Sequence, residues 1–125
     1  MLSNIDNDTI KKTQAGPLGE VNFDAVYTAE MIGSYKPDLK NFEYLLEGVK
    51  KEFGVEKGEV LHTAQALHHD MMPAKTMGVR GAWIDREKED EKAAQMKAEG
   101  RVAYTWRFGT LGEMAEEVER AFAEE

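Results

Sequence analysis

The sequence predicts an α/β protein built on a parallel sheet, and three observations carry that expectation. Short apolar runs alternate with helical patterns, as successive βαβ units require. One segment, from about Pro37 to Phe53, repeats apolar residues at steps of three and four: Phe42, Leu45, Leu46, Val49 and Phe53. Glycine and proline punctuate the chain between runs, as at Gly16-Pro17-Leu18-Gly19, Gly33, Gly54 and Gly78.

Taken in order, Met1 to Ile5 is a short apolar run, and Asn7 or Asp8 can cap a helix through about Gln14, punctuated by Gly16-Pro17-Leu18-Gly19. Ala25 to Ala29 is β-branched and aromatic enough for a buried strand. After Gly33-Ser34-Tyr35 the amphipathic helix begins at Pro37, where a missing N–H costs nothing, and Gly54 stops it. Glu59 to Ala64 reads as a third strand, leading through Gln65 to Asp70 into a short helix with Pro73 in its first turn and Gly78 at its end. Gly81 to Asp85 is a fourth strand. Arg86 to Gly100 is dense in charge without an apolar stripe, which predicts a solvated helix or a mobile excursion. Val102, Tyr104, Trp106 and Phe108 alternate with other residues as an edge strand does. Thr110-Leu111-Gly112-Glu113 is a capping box ahead of a last helix bearing Met114, Val118, Ala121 and Phe122.

Composition narrows the function. The chain has 125 residues, enough for one domain or a piece of one, and a formal charge of −8. That charge repels phosphate backbones and anionic lipid, so neither a nucleic acid nor a membrane is an expected partner. The absence of cysteine excludes a disulfide scaffold, a cysteine zinc site and a thiol nucleophile. No apolar run approaches the roughly 20 residues of a membrane span. The opening residues show no secretory pattern, so a soluble cytoplasmic chain is expected.

Ligands of open parallel sheets bind outside the carboxyl ends of the strands. Ser3 and Asn4 follow the first strand, Glu30 and Lys36 the second, and Gln65, His68, His69 and Asp70 the third. A hydroxyl, an ammonium and a carboxylate from different strand ends are expected to converge on one crevice. Read singly, Ser3 is a terminal residue, Lys36 a loop charge and Asp70 a helix cap. His62, His68, His69 and Asp70 form no convincing zinc set, because adjacent histidines do not easily face one ion. Met71, Met72 and Met77 read as packing.

These blocks resemble the later motifs of the haloacid dehalogenase (HAD) superfamily. They are Leu2-Ser3-Asn4, then Gly33-Ser34-Tyr35-Lys36-Pro37-Asp38 with Phe42, then His69-Asp70 with Ala74-Lys75 and Gly78, then Trp83-Ile84-Asp85-Arg86. The spacing agrees: 33 positions lead from Ser3 to Lys36 and 34 from Lys36 to Asp70. The likeness is to the type II 2-haloacid dehalogenases, especially fungal ones, and spans nearly the whole chain. It implies a HAD-like Rossmannoid parallel sheet with flanking helices, incomplete because the nucleophile-bearing first strand and the cap domain are missing. Residues 1–125 would then be the C-terminal portion of such a core.

The resemblance also implies roles. Lys36 and Asp70 would be catalytic, the first neutralising an aspartate nucleophile and its substrate, the second handling the hydrolytic water. Ser3, Asn4 and Gln65 would bind a small anionic substrate. The activity implied is hydrolytic removal of halide from a short 2-haloalkanoic acid, without a cofactor. The alternatives are a phosphatase, in which Asp70 would hold Mg²⁺, and a non-catalytic fragment that pairs with another chain; a homodimer or a missing N-terminal half are the partner expectations.

Three departures qualify it. Ala66 stands where the phosphatase pattern has an acid. Gln65, Leu67 and Phe42 stand where bacterial dehalogenases have Ser, Asn and Tyr. The nucleophile motif is absent, for Asp6-Asn7-Asp8-Thr9 places its threonine one residue early. The isolated chain is therefore expected to be inactive, with the strands Met1–Ile5 and Glu59–Ala64 flanking a place where a central strand would lie.

Overall fold

Short strands and helices alternate along the chain in the computed structural model, which describes residues 1–124. They form two units, Met1–Glu56 and Lys57–Glu125.

In the first unit β1 (Leu2–Ser3) pairs parallel with β2 (Tyr27–Thr28), Leu2 opposite Tyr27 and Ser3 opposite Thr28. Between them lies α1 (Asn7–Ala15), which buries Ile10. Asp6 opens it: one carboxylate oxygen accepts the Thr9 N–H at 2.7 Å and the other the Thr9 hydroxyl at 2.8 Å. The strands are shorter than the apolar runs suggest. Ala29 leaves the expected strand to begin a one-turn helix, α2 (Ala29–Ile32), because the Thr28 hydroxyl accepts the Met31 N–H at 3.1 Å and caps it.

The amphipathic helix α3 spans Leu39–Phe53. It starts two residues beyond Pro37 because Asp38 is its cap, accepting the Lys40 N–H at 2.9 Å. Gly54 ends it at φ +67°, where a side chain would be strained. Gly48 lets α3 approach the sheet, since a Cβ there would lie 2.6 Å from the Tyr27 hydroxyl oxygen.

The second unit carries three parallel strands in the order β3 (Leu61–Ala64), β4 (Arg80–Ile84), β5 (Trp106–Phe108). A 3₁₀ turn at Lys57–Glu59 precedes β3, shortening the expected strand. A π-helical turn, Leu67–Met71, follows it and runs into α4 (Met72–Thr76). β4 is central and buried, and Ala82, Trp83 and Ile84 face Trp106, Arg107 and Phe108 in register. Among the described residues β1 and β3, the strands expected to flank a central one, each pair on one side only.

The core of this unit gathers Leu67, Met71, Trp83, Ala93, Met96 and Val102. Ala93 and Met96 belong to α5 (Asp90–Ala98), so the charged segment forms the expected solvated helix, seated by these two buried residues. Two small or flexible apolar residues three apart suffice to seat it. The last helix, α6 (Leu111–Ala123), opens with the expected box: Thr110 Oγ1 accepts the Glu113 N–H at 3.1 Å. The Glu113 carboxylate reaches back to the Gly109 N–H at 2.8 Å, one residue earlier than the usual box partner.

Candidate functional site

In the first unit the residues at the carboxyl ends of β1 and β2 are tied into two hydrogen-bonded groups. Asn4, directly after β1, grips the backbone of Lys36 at both ends. Its Oδ1 accepts the Lys36 N–H at 2.7 Å and its Nδ2 donates to the Lys36 carbonyl at 3.0 Å. The Lys36 ammonium in turn donates to the Leu2 carbonyl at 3.3 Å. Lys36 thus stands half-buried over the end of the strand that carries Ser3. Local sequence fixes this loop: Gly33 closes α2 in the left-handed conformation, Asp38 donates its N–H to the Tyr35 carbonyl at 3.0 Å, and the Lys36–Pro37 peptide is cis.

The second group occupies Glu30. Its two carboxylate oxygens accept the Asn7 N–H and Nδ2, each at 3.1 Å, and Asn7 Oδ1 accepts the Thr28 hydroxyl at 2.5 Å. Glu30 therefore braces the start of α1 against the end of β2. Asp6 is equally committed: hydrogen bonds from Thr9 hold its carboxyl below the usual carboxylate range. Ser3 is half-buried at the last position of β1.

In the second unit a groove of about 260 Å³ lies across the carboxyl ends of the strands, lined by Thr63, Ala64, Gln65, Ile84, Arg86, Gly109, Thr110 and Leu111. Gln65 is exposed there, and its carbonyl accepts the Trp83 indole N–H at 3.1 Å. A wider cleft of about 570 Å³ runs from Gln65 past His68 and His69 to Lys92, Gln95 and Arg101 on and after α5.

Asp70 is buried in the π-helical turn, and its Oδ1 lies 2.8 Å from His62 Nε2, which β3 supplies. The imidazole and carboxylate keep only 10% and 7% of their exposure, so this contact is made in a low-dielectric setting. His62 was the residue that sequence reasoning left without a role. Residues eight apart meet only because a strand is followed at once by a tight helical turn, and no simple period signals that.

A second buried acid was also missed. Asp85, at the end of β4, accepts the Glu89 N–H at 2.8 Å and pairs with Arg107, which also pairs with Asp90 and lies with its Cζ 4.9 Å from the centre of the Trp83 ring. Burial pushes the Asp85 carboxyl up, but the Glu89 N–H and Arg107 outweigh it and leave it below the ordinary value. The signal was the alternation that places Arg107 opposite Trp83 in parallel register. Among the described residues no three His, Asp or Glu side chains gather as a metal cluster, and no helix is long and apolar enough to cross a membrane.

The fold is that of HAD-like hydrolase cores, an α/β arrangement of parallel strands with flanking helices. Two solved structures share it. One is the HAD-hydrolase YfnB from Bacillus subtilis, solved with bound magnesium, at 16% identity and a TM-score of 0.68. The other is a HAD phosphatase from Thermococcus onnurineus, at 26% identity and a TM-score of 0.64. Each match covers 91% of this chain but 45% and 46% of the neighbour, so the chain spans just under half their length. No protein-family profile and no curated protein sequence matches it.

Proposed function

We propose that the chain is the C-terminal portion of a HAD-like hydrolase core whose parent removes halide from short 2-haloalkanoic acids. The observation that carries this reading is the Asn4 clamp, which fixes Lys36 at the carboxyl end of β1. A cation held there lowers the pKa of a neighbouring carboxylate by about 1–3 units, keeping an aspartate ionised as a nucleophile. In the parent that carboxylate displaces halide from C2 and forms an ester. Water then cleaves the ester at its acyl carbon, returning the aspartate and releasing the 2-hydroxy acid.

The chain's own residues take four roles in this scheme. The Ser3 hydroxyl and the Asn4 region bind the substrate's carboxylate. Lys36 balances its charge. Gln65 offers an exposed amide at the end of β3. Asp70, oriented by His62, directs or deprotonates the water; the contact fixes one carboxylate oxygen, which is what a positioned base requires.

The second reading, a phosphatase of small phosphorylated metabolites, draws support from the 26% identity to a HAD phosphatase. The donor set does not favour its metal. Mg²⁺ is usually held by one or two carboxylates plus phosphate and water oxygens, whereas here Ala66 replaces the expected acid and Asp70 already bonds His62.

The test is turnover of 2-chloropropionate, and of p-nitrophenyl phosphate with Mg²⁺. The purified 125-residue chain is expected to release neither halide nor phosphate, because no aspartate in it matches the nucleophile motif. A product extended by an in-frame strand ending in Asp-x-x-Gly-Thr is expected to release halide, and to lose that activity with Lys36→Ala. Phosphate release without halide release decides for the second reading. Halide release by the 125-residue chain itself, lost with Lys36→Ala, overturns the assignment of the nucleophile to a missing strand.

A further inference from the structure

α6 presents an amphipathic surface with no cover. None of its residues is buried. At 100° per residue, Ala121, Met114, Val118, Leu111, Phe122 and Ala115 fall in one arc, with Glu117 at one border and Glu119 at the other. One side of that arc meets the sheet along an apolar groove of about 160 Å³, whose sheet wall includes Leu61, Ala82, Trp106 and Phe108. Outside the groove Leu111 and Phe122 face water, 66% and 68% exposed, and the groove wall is itself partly open, with Leu61 41% exposed, Trp106 45% and Val118 41%. Scattered apolar residues on a surface need no explanation, but an exposed tryptophan and two aliphatic side chains lining one groove, with an exposed phenylalanine on the same helix arc, do.

Charge selects the occupant. The helix carries Glu113, Glu116, Glu117 and Glu119, with Glu124 just beyond, against the single cation Arg120, which is itself paired with Glu117 and Glu124. A second copy docked through the same face would bring two acidic borders together in a chain already at −8. An anionic lipid surface meets the same repulsion.

We propose that this face docks a basic amphipathic helix of a protein partner, its apolar stripe over Trp106, Val118 and Phe122 and its flanking lysines or arginines against Glu117 and Glu119. The docking goes beyond the hydrolase reading and does not depend on it. The length available is that of α6, about 20 Å at 1.5 Å per residue, so the bound segment is roughly three to four turns. Trp106 and Phe122 are the anchors, since interface energy concentrates in large aromatic side chains.

The experiment uses the full 125-residue chain and two synthetic helical peptides with leucine at positions i, i+3, i+4 and i+7, one flanked by lysine and one by glutamate. Trp106 is exposed and Trp83 buried, so tryptophan emission reports cover over Trp106. The lysine peptide is expected to give a saturable blue shift. Val118→Asp, and separately Glu117→Lys with Glu119→Lys, are each expected to weaken it about tenfold, as is the glutamate peptide. Val118 and Glu119 are exposed and Glu117 half-buried, and unchanged circular dichroism certifies each variant's fold. Trp106→Phe removes the shift but not the binding seen by calorimetry.

Equal affinity for the two peptides, no saturable binding, or binding indifferent to Val118→Asp each overturns the proposal. So does a concentration-dependent dimer by light scattering that buries Trp106, or a longer translation product in which Trp106 is already covered.

Discussion

Replacing His62 with leucine is expected to destabilise the second unit by about 2–4 kcal/mol. A net hydrogen bond to a charged group contributes about 1.5–3 kcal/mol, and a buried carboxylate left short of its donor adds a desolvation cost. The structure places this contact at the upper part of that range, at 2.8 Å and with both side chains at or below 10% exposure. Both residues keep further interactions, which holds the total below the 3–5 kcal/mol of a wholly orphaned charge. Urea unfolding followed by the emission of buried Trp83 measures the loss, and a domain of this size should lose about 4–8 °C in Tm per kcal/mol. The coupling is isolated by a cycle of His62→Leu, Asp70→Leu and the pair, for which about 1.5–3 kcal/mol is expected. Additive single changes, with a coupling below about 0.5 kcal/mol, would refute the claim that His62 and Asp70 act as a unit.

Other consequences concern charge, packing and capping. The Asp85 carboxyl lies below its ordinary value in the folded chain, so its stabilisation is complete above the unfolded value of about 3.9 and is lost as pH falls through the folded one. Asp85→Asn should flatten the acid limb of the stability curve below about pH 4; an acid limb identical to that of the parent contradicts this. Gly48→Ala should cost about 1–3 kcal/mol, because its Cβ would press on the Tyr27 hydroxyl, whereas Gly58→Ala meets nothing within 4 Å and should be nearly neutral; thermal unfolding of the two compares them directly. Thr110→Ala should cost about 1 kcal/mol by the same measurement, through loss of the α6 cap.

Local features of the chain were legible where a residue's own chemistry decides its place. Gly54 ends α3, Thr110 caps α6, and the run of Phe42, Leu45 and Val49 sets the helical period, whereas the start of α3 was read at Pro37 and not at its cap Asp38. Strand lengths were not legible, because Thr28 and Lys57–Glu59 spend backbone groups on caps and turns that an apolar run does not reveal. α5 was expected as a solvated helix, but its seating was not legible, because only Ala93 and Met96 are buried, too few for a period amid nine residues rich in charge. Of the site, Asn4 just after β1 and Gln65 just after β3 could be read from order, whereas Ser3 is the last residue of β1, Lys36 follows α2 and Asp70 sits in a π-helical turn. The contacts could not: the Asn4 clamp joins residues 32 apart, and the His62–Asp70 bond depends on a π-helical turn.

The most direct test of the account is whether the end of β1 holds small anions through Lys36. Titration of the isotope-labelled chain with 2-chloropropionate, and separately with inorganic phosphate, should shift the backbone amides of Ser3, Asn4 and Lys36 saturably. Lys36→Ala should abolish those shifts, and Asn4→Ala should weaken them about tenfold by releasing the loop that carries the lysine. Saturable shifts that survive Lys36→Ala, or that leave Ser3 and Asn4 unmoved, would contradict it.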